Sequence, residues 1–113
     1  MFFRKHEIDP FSVADKVTFR NVDNTIEMKV RADASLIVVN LTKARKRIEV
    51  LNDNSSDEDK RSAAMAFAGA IFGMEQAEKL LEFYGCDALA VIVACGKYFS
   101  DRLSKKITKA QKK

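Results

Sequence analysis

The chain has 113 residues, an apolar share of 47% and a net charge of +4 from 20 basic and 16 acidic side chains. That is the size of one domain with a modest core, and it is too apolar for a disordered segment. The longest uncharged run, Ser62 to Met74, is shorter than the roughly 20 residues that cross a bilayer, and Met1 to Glu7 lacks the shape of a signal peptide, so a soluble protein is expected.

Residues 1–16 show weak periodicity and predict a flexible N-terminal arm, with Asp9-Pro10 as a turn or extended signal. Phe2, Phe3 and Phe11 lie in it without an obvious element to hold them, which makes them candidate partner contacts. Val17 to Arg20 and Thr25 to Arg31 alternate and are rich in β-branched residues, and Asn21-Val22-Asp23-Asn24 between them is turn chemistry. A β-hairpin follows, with Ile26, Met28 and Val30 on one face. Two strands alone are marginal, so that face needs a helix or another chain over it; Ile26, Met28 and Val30 are therefore further candidate contacts.

Asp33 or Ser35 is placed to cap a helix whose stripe is Ile37, Leu41, Ala44, Ile48 and Leu51. Asn52-Asp53-Asn54 ends it. Ser55 and Glu58 have capping-box spacing for a second helix, rich in Ala, in which Gly69 suggests close helix approach. Gly73 is placed to end that helix with positive φ. A short acidic helix, Glu75 to Phe83, follows with Ala77, Leu80 and Leu81 inward. After Tyr84-Gly85, Asp87 caps a last helix striped by Leu89, Ile92, Gly96, Phe99 and Leu103, expected to fray from Ile107. The fold class is therefore mainly α (α+β): an N-terminal β-hairpin and about four helices in a small bundle, in a single domain spanning 1–113.

Little in this sequence carries chemistry. His6 is the one histidine, and no catalytic or nucleotide-binding motif is present. Cys86 and Cys95 lie nine apart; on one helix that is a rotation of roughly 900°, which puts them on opposite faces, unable to pair or share a metal. They read as reduced thiols in an intracellular compartment. Neither catalysis, cofactor nor metal is expected. From residue 104 the chain is a basic tail, and Arg102, Lys105, Lys106, Lys109, Lys112 and Lys113 are candidate nucleic-acid contacts. A recognition helix after Gly73 is disfavoured, because Glu75, Glu78 and Glu82 would be repelled by phosphates.

The corner Ile71-Phe72-Gly73, the run Glu75 and Ala77-Glu78-Lys79-Leu80-Leu81, and the order of elements from Val17 to Leu103 resemble small tail assembly chaperones of long-tailed phages and prophages. The resemblance implies a non-catalytic holdase that coats the helical tape-measure polypeptide before the tail tube polymerises. It also implies self-association and a place in the cytoplasm of the bacterial host. Ile71, Phe72 and Gly73 read as a structural corner setting the angle between two helices. Two other readings stay open: a small basic nucleic-acid-associated or regulatory protein using its C-terminal tail, and a structural component of the phage particle.

Overall fold

The computed structural model describes residues 12–111. Strands β1 (Ser12–Asn21) and β2 (Asn24–Asp33) form an antiparallel hairpin, followed by helices α1 (Ala34–Glu49), α2 (Asp57–Phe72), α3 (Met74–Phe83), α4 (Ala88–Tyr98) and α5 (Ser104–Gln111). A π-helical turn, Phe99–Leu103, joins α4 to α5 in one continuous rod. The expected hairpin-plus-bundle architecture is the one observed.

The hairpin is longer than its sequence pattern suggested. Ser12 to Lys16, expected in a flexible arm, are the first half of β1 and pair with Asp33 to Lys29. Alternation is regular: Val13, Val17 and Phe19 of β1 and Met28 and Val30 of β2 are buried, while Lys16, Thr18, Glu27, Lys29 and Arg31 point outward. The tight turn has Val22 at φ 54°, in the left-handed region that a β-branched side chain tolerates poorly. Val22 is also 82% exposed, so its side chain packs on little. Val22→Gly is expected to raise stability by about 1 kcal/mol in urea titration, since it relieves that strain; a loss would contradict the turn geometry.

Helices α1, α2 and α4 are each capped at the start by a neighbouring acid or hydroxyl, whereas α3 begins at Gly73 without a side-chain cap. Asp33 accepts from the amides of Ser35 and Leu36 at 2.8 and 3.3 Å, and Asp87 from Ala90 at 3.2 Å. For α2 the cap is Ser56, accepting from Asp59 at 3.0 Å, not Ser55. Ser55 instead accepts from the Asn52 amide within the loop. Helix α3 ends in a Schellman turn: the Cys86 amide donates to Leu81 O and the Gly85 amide to Glu82 O, with Gly85 at φ 66°.

The core lies between the inner hairpin face and the helices. Phe19, Phe72 and Tyr98 form its aromatic centre, with ring centroids 5.7 to 6.5 Å apart. Ala63, Ala64 and Ala68 of α2 are buried with almost no exposed surface, which lets neighbouring helices approach closely. Met28 and Val30 are each 1% exposed inside this core. Their expected role as partner contacts is thereby corrected, because the protein's own helices cover the hairpin face; Ile26 is half-buried at its edge.

The last helix needed a larger correction. Its expected stripe puts Leu89 inward, but Leu89 is 54% exposed. The buried positions are Ala88, Val91, Cys95 and Tyr98, then Leu103, Ile107 and Ala110. A uniform α-helix would follow Tyr98 with Arg102, Lys106 and Lys109. In the π-helical turn the Ser104 amide bonds to Phe99 O, five residues back, which accommodates one extra residue. That extra residue moves the apolar set inward and the basic set outward. Residues 107–111 are therefore a packed helix rather than a fraying tail, with Ile107 and Ala110 each 6% exposed.

Candidate functional site

Among the described residues, the sequence-predicted sites do not converge. Phe2, Phe3, Phe11, Lys112 and Lys113 lie outside the described residues, as does His6. The corner is local: Ile71 and Phe72 are buried, and Gly73 sits at φ 87° and ψ 156° between α2 and α3. This conformation is open essentially only to glycine, and it differs from the left-handed helical cap expected. The Gly73 amide closes α2 on Gly69 O, and the Gly73 carbonyl accepts from Ala77 at the start of α3. One residue thus ends one helix and begins the next.

Beyond the corner, Gln76 locks α3 onto the hairpin edge. Its side-chain amide accepts from Lys29 N at 2.9 Å and donates to Lys29 O at 2.8 Å. This pairs one outward-facing backbone position of β2 that would otherwise be open.

Two of the candidate nucleic-acid contacts are engaged internally. Asp15 has only 7% of its side chain exposed, accepts from Tyr98 Oη at 2.7 Å and from Arg102 Nη2 at 2.6 Å, and lies 4.0 Å from Lys106 Nζ. Burial first, then the hydrogen bond and charge of Asp15, raise the Tyr98 phenol well above its usual range, with Arg102 opposing. Asp15 binds the rod to β1 and neutralises part of the basic segment. Lys105 and Lys109 remain exposed.

The feature that the sequence did not bring out is an apolar groove of about 460 Å³ between α1, α2 and the end of the rod. Helix α1 contributes Val38, Leu41, Thr42, Arg45 and Ile48; Phe67 comes from α2, Phe99 from the π-helical turn, and Ser104, Ile107 and Thr108 from α5. The α1 stripe is divided along its length. Ile37 and Ala44 are fully buried, whereas Leu41 and Ile48 are half-buried and lie along the groove. Phe67 and Phe99, partly buried against the core, likewise keep a face on the groove. The sequence signal was Val38, an apolar side chain outside the α1 stripe that lines the groove; Leu36 and Val39 are also exposed but do not line it. Arg45 is the one titratable group in the lining, so the site suits binding an apolar surface rather than proton transfer.

The cysteines occupy unlike places. Cys86 precedes α4, in the turn at φ 63°, and is exposed, so the premise that both lie on one helix is corrected. Cys95 is buried in the core, and burial pushes its thiol from the ordinary 9.0 up to about 12. Native protein is expected to expose one fast-reacting thiol, Cys86, and to release Cys95 to the reagent only on unfolding. The same burial has a stability consequence. Above pH about 9 the unfolded thiol ionises while the folded one does not, so stability falls as pH rises from about 9 toward 12. The loss should reach about 1 kcal/mol by pH 10, and urea midpoints of Cys95→Ala should lack that part of the slope.

Among the described residues, no group of three or more His, Cys, Asp or Glu side chains is arranged to hold a metal ion. No helix there is long and apolar enough to cross a membrane. Comparison with family models, with curated proteins and with solved structures finds no match to this chain.

Proposed function

We propose that this protein is a non-catalytic polypeptide-binding protein of the tail-assembly-chaperone kind, holding a helical segment of a phage tape-measure protein in the α1–α2–α5 groove. The observation that carries this reading is the groove itself, an apolar trough with one titratable lining residue. Leu41 to Ile48 is two turns of helix, and the lining from Val38 to Ile48 runs for about 15 Å, enough to seat roughly three turns of a partner helix. The resemblance of the Ile71-Phe72-Gly73 corner and the helix order supplies the class of partner. It also supplies self-association and a cytoplasmic setting in a bacterial host.

The test is affinity purification of the tagged protein from its native host after prophage induction, with mass spectrometry of what accompanies it. The expected result is a long helix-rich polypeptide at high yield, lost from Leu41→Glu, which places a charge on the groove wall. Sedimentation of the purified chain tests self-association. Recovery of nucleic acid alone, or of the same polypeptide in undiminished yield with Leu41→Glu, would reject the groove as the binding site.

A further inference from the structure

The groove carries a charge pattern as well as an apolar lining. Arg45 lies in the α1 wall, and Lys46 stands one turn beyond Thr42 on the same side of that helix. On the opposite wall Ser104 and Thr108 also border a second hollow that includes Lys105 and Lys109, so these two lysines flank the groove along α5. Against these four cations stand Glu49, paired with Arg45 at 3.1 Å, and Asp101 at the end of the π-helical turn. Among the described residues, Lys46, Lys105 and Lys109 form no ion pair. The trough is therefore apolar along its floor and positive on both rims.

We propose that the groove selects an amphipathic helix whose apolar stripe is flanked by carboxylates; this rests on the polypeptide-binding reading above and adds the charge of the partner. Such a helix places its stripe on Leu41, Ile48, Phe67 and Phe99 and its acids beside Lys46, Lys105 and Lys109. A second copy of this chain is a poor source of that helix. Its acidic amphipathic helix is α3, but Ala77 and Leu80 of α3 are fully buried in its own core. A nucleic acid meets an apolar floor where phosphates would sit, and Arg102 and Lys106 are turned to Asp15. The basic segment, read from sequence as a candidate nucleic-acid contact, is on this account the electrostatic rim of a protein-binding site.

The test uses two synthetic helical peptides of about 16 residues with the same Leu stripe. One carries Glu beside the stripe and the other Lys, and fluorescence anisotropy follows each with the full chain. The Glu peptide is expected to bind at least about tenfold more tightly, with the advantage shrinking in about 0.5 M salt. Lys105→Glu with Lys109→Glu should reverse the preference; both positions are exposed, and circular dichroism verifies the fold of the variant. Equal affinity for the two peptides, or a preference unchanged in the variant, overturns the charge selection and leaves polypeptide binding standing. If neither peptide binds while the host polypeptide is still recovered with the tagged protein, the groove assignment falls and the chaperone reading survives. Tighter binding of a duplex DNA oligonucleotide, abolished in the double variant, would assign the lysines to phosphate. A dimer dispersed by Leu41→Glu would assign the groove to a second copy.

Discussion

Deleting Ser100 is expected to leave the fold intact, whereas deleting Val93, two turns upstream, is expected to unfold it. Removing one residue from an α-helix rotates everything beyond it by about 100°, which normally turns the buried face out. Val93 sits in regular helix and is 68% exposed, so its own side chain matters little. Its loss would swing Cys95 and Tyr98 away from the core even if the π-helical turn closed to keep Leu103 and Ile107 inward, and it would break the Tyr98–Asp15 bond, a cost above about 4 kcal/mol and comparable with the whole stability of a small domain. Ser100 lies in the π-helical turn, which already contains one residue more than an α-helix needs. Without it, Val91, Cys95, Tyr98, Leu103, Ile107 and Ala110 follow spacings of 4, 3, 4, 4 and 3, a continuous α-helical stripe. The rod closes up with the same side chains inward, at a cost below about 2 kcal/mol. Circular dichroism and urea unfolding of the two deletions decide the matter. Equal damage from both would show that the extra turn does not set the phase of α5.

Gly73→Ala is the second large effect, expected to cost about 2 kcal/mol or somewhat more. A Cβ built at Gly73 meets nothing within 4 Å, so no clash contributes. The whole cost comes from φ 87° with ψ 156°, a backbone conformation essentially closed to L side chains. Relief by rotation is blocked, since the Gly73 amide and carbonyl are both committed, to Gly69 O and Ala77 N. The matched control is Gly69→Ala. There a Cβ would come within 2.5 Å of Met74 Sδ, the flexible end of a side chain that is 57% exposed and free to swing aside. Gly69 lies in the last turn of α2 with helical geometry, where Ala is favoured by up to about 1 kcal/mol, so that substitution should be neutral or mildly stabilising. Similar losses at both positions would argue against the corner geometry.

A partner helix in the groove makes different demands on the same elements. Leu41 and Ile48 must stay partly uncovered, and the π-helical turn does part of that work. It sends Tyr98 to Asp15 in the core and Phe99, the next residue, to the groove wall. The deletion of Ser100 therefore tests function as well as fold. A variant that remains folded but has lost peptide affinity would tie the groove shape to this turn.

Local chemistry determined much of this protein directly from its sequence. The alternation of Val17 to Arg20 and Thr25 to Arg31 specified a hairpin because side chains in a strand alternate faces, and Asp33 and Asp87 marked helix starts because a carboxylate can satisfy free amides. Gly73 marked a corner because its missing Cβ opens backbone conformations closed to other residues. Tertiary structure decided what these elements cover and what they leave open. Met28 and Val30 look identical in sequence whether a helix or a partner covers them, and only the packing of the hairpin against the bundle made them core. Leu89 to Leu103 fits one uninterrupted helical stripe, and only the combined demands of burying Tyr98 beside Asp15 and Leu103 with Ile107 reveal the extra residue between them. The groove arises from three segments far apart in sequence. Each of its walls reads as an ordinary amphipathic helix until the three are brought together, because a sequence specifies which faces are apolar but not which of them find cover.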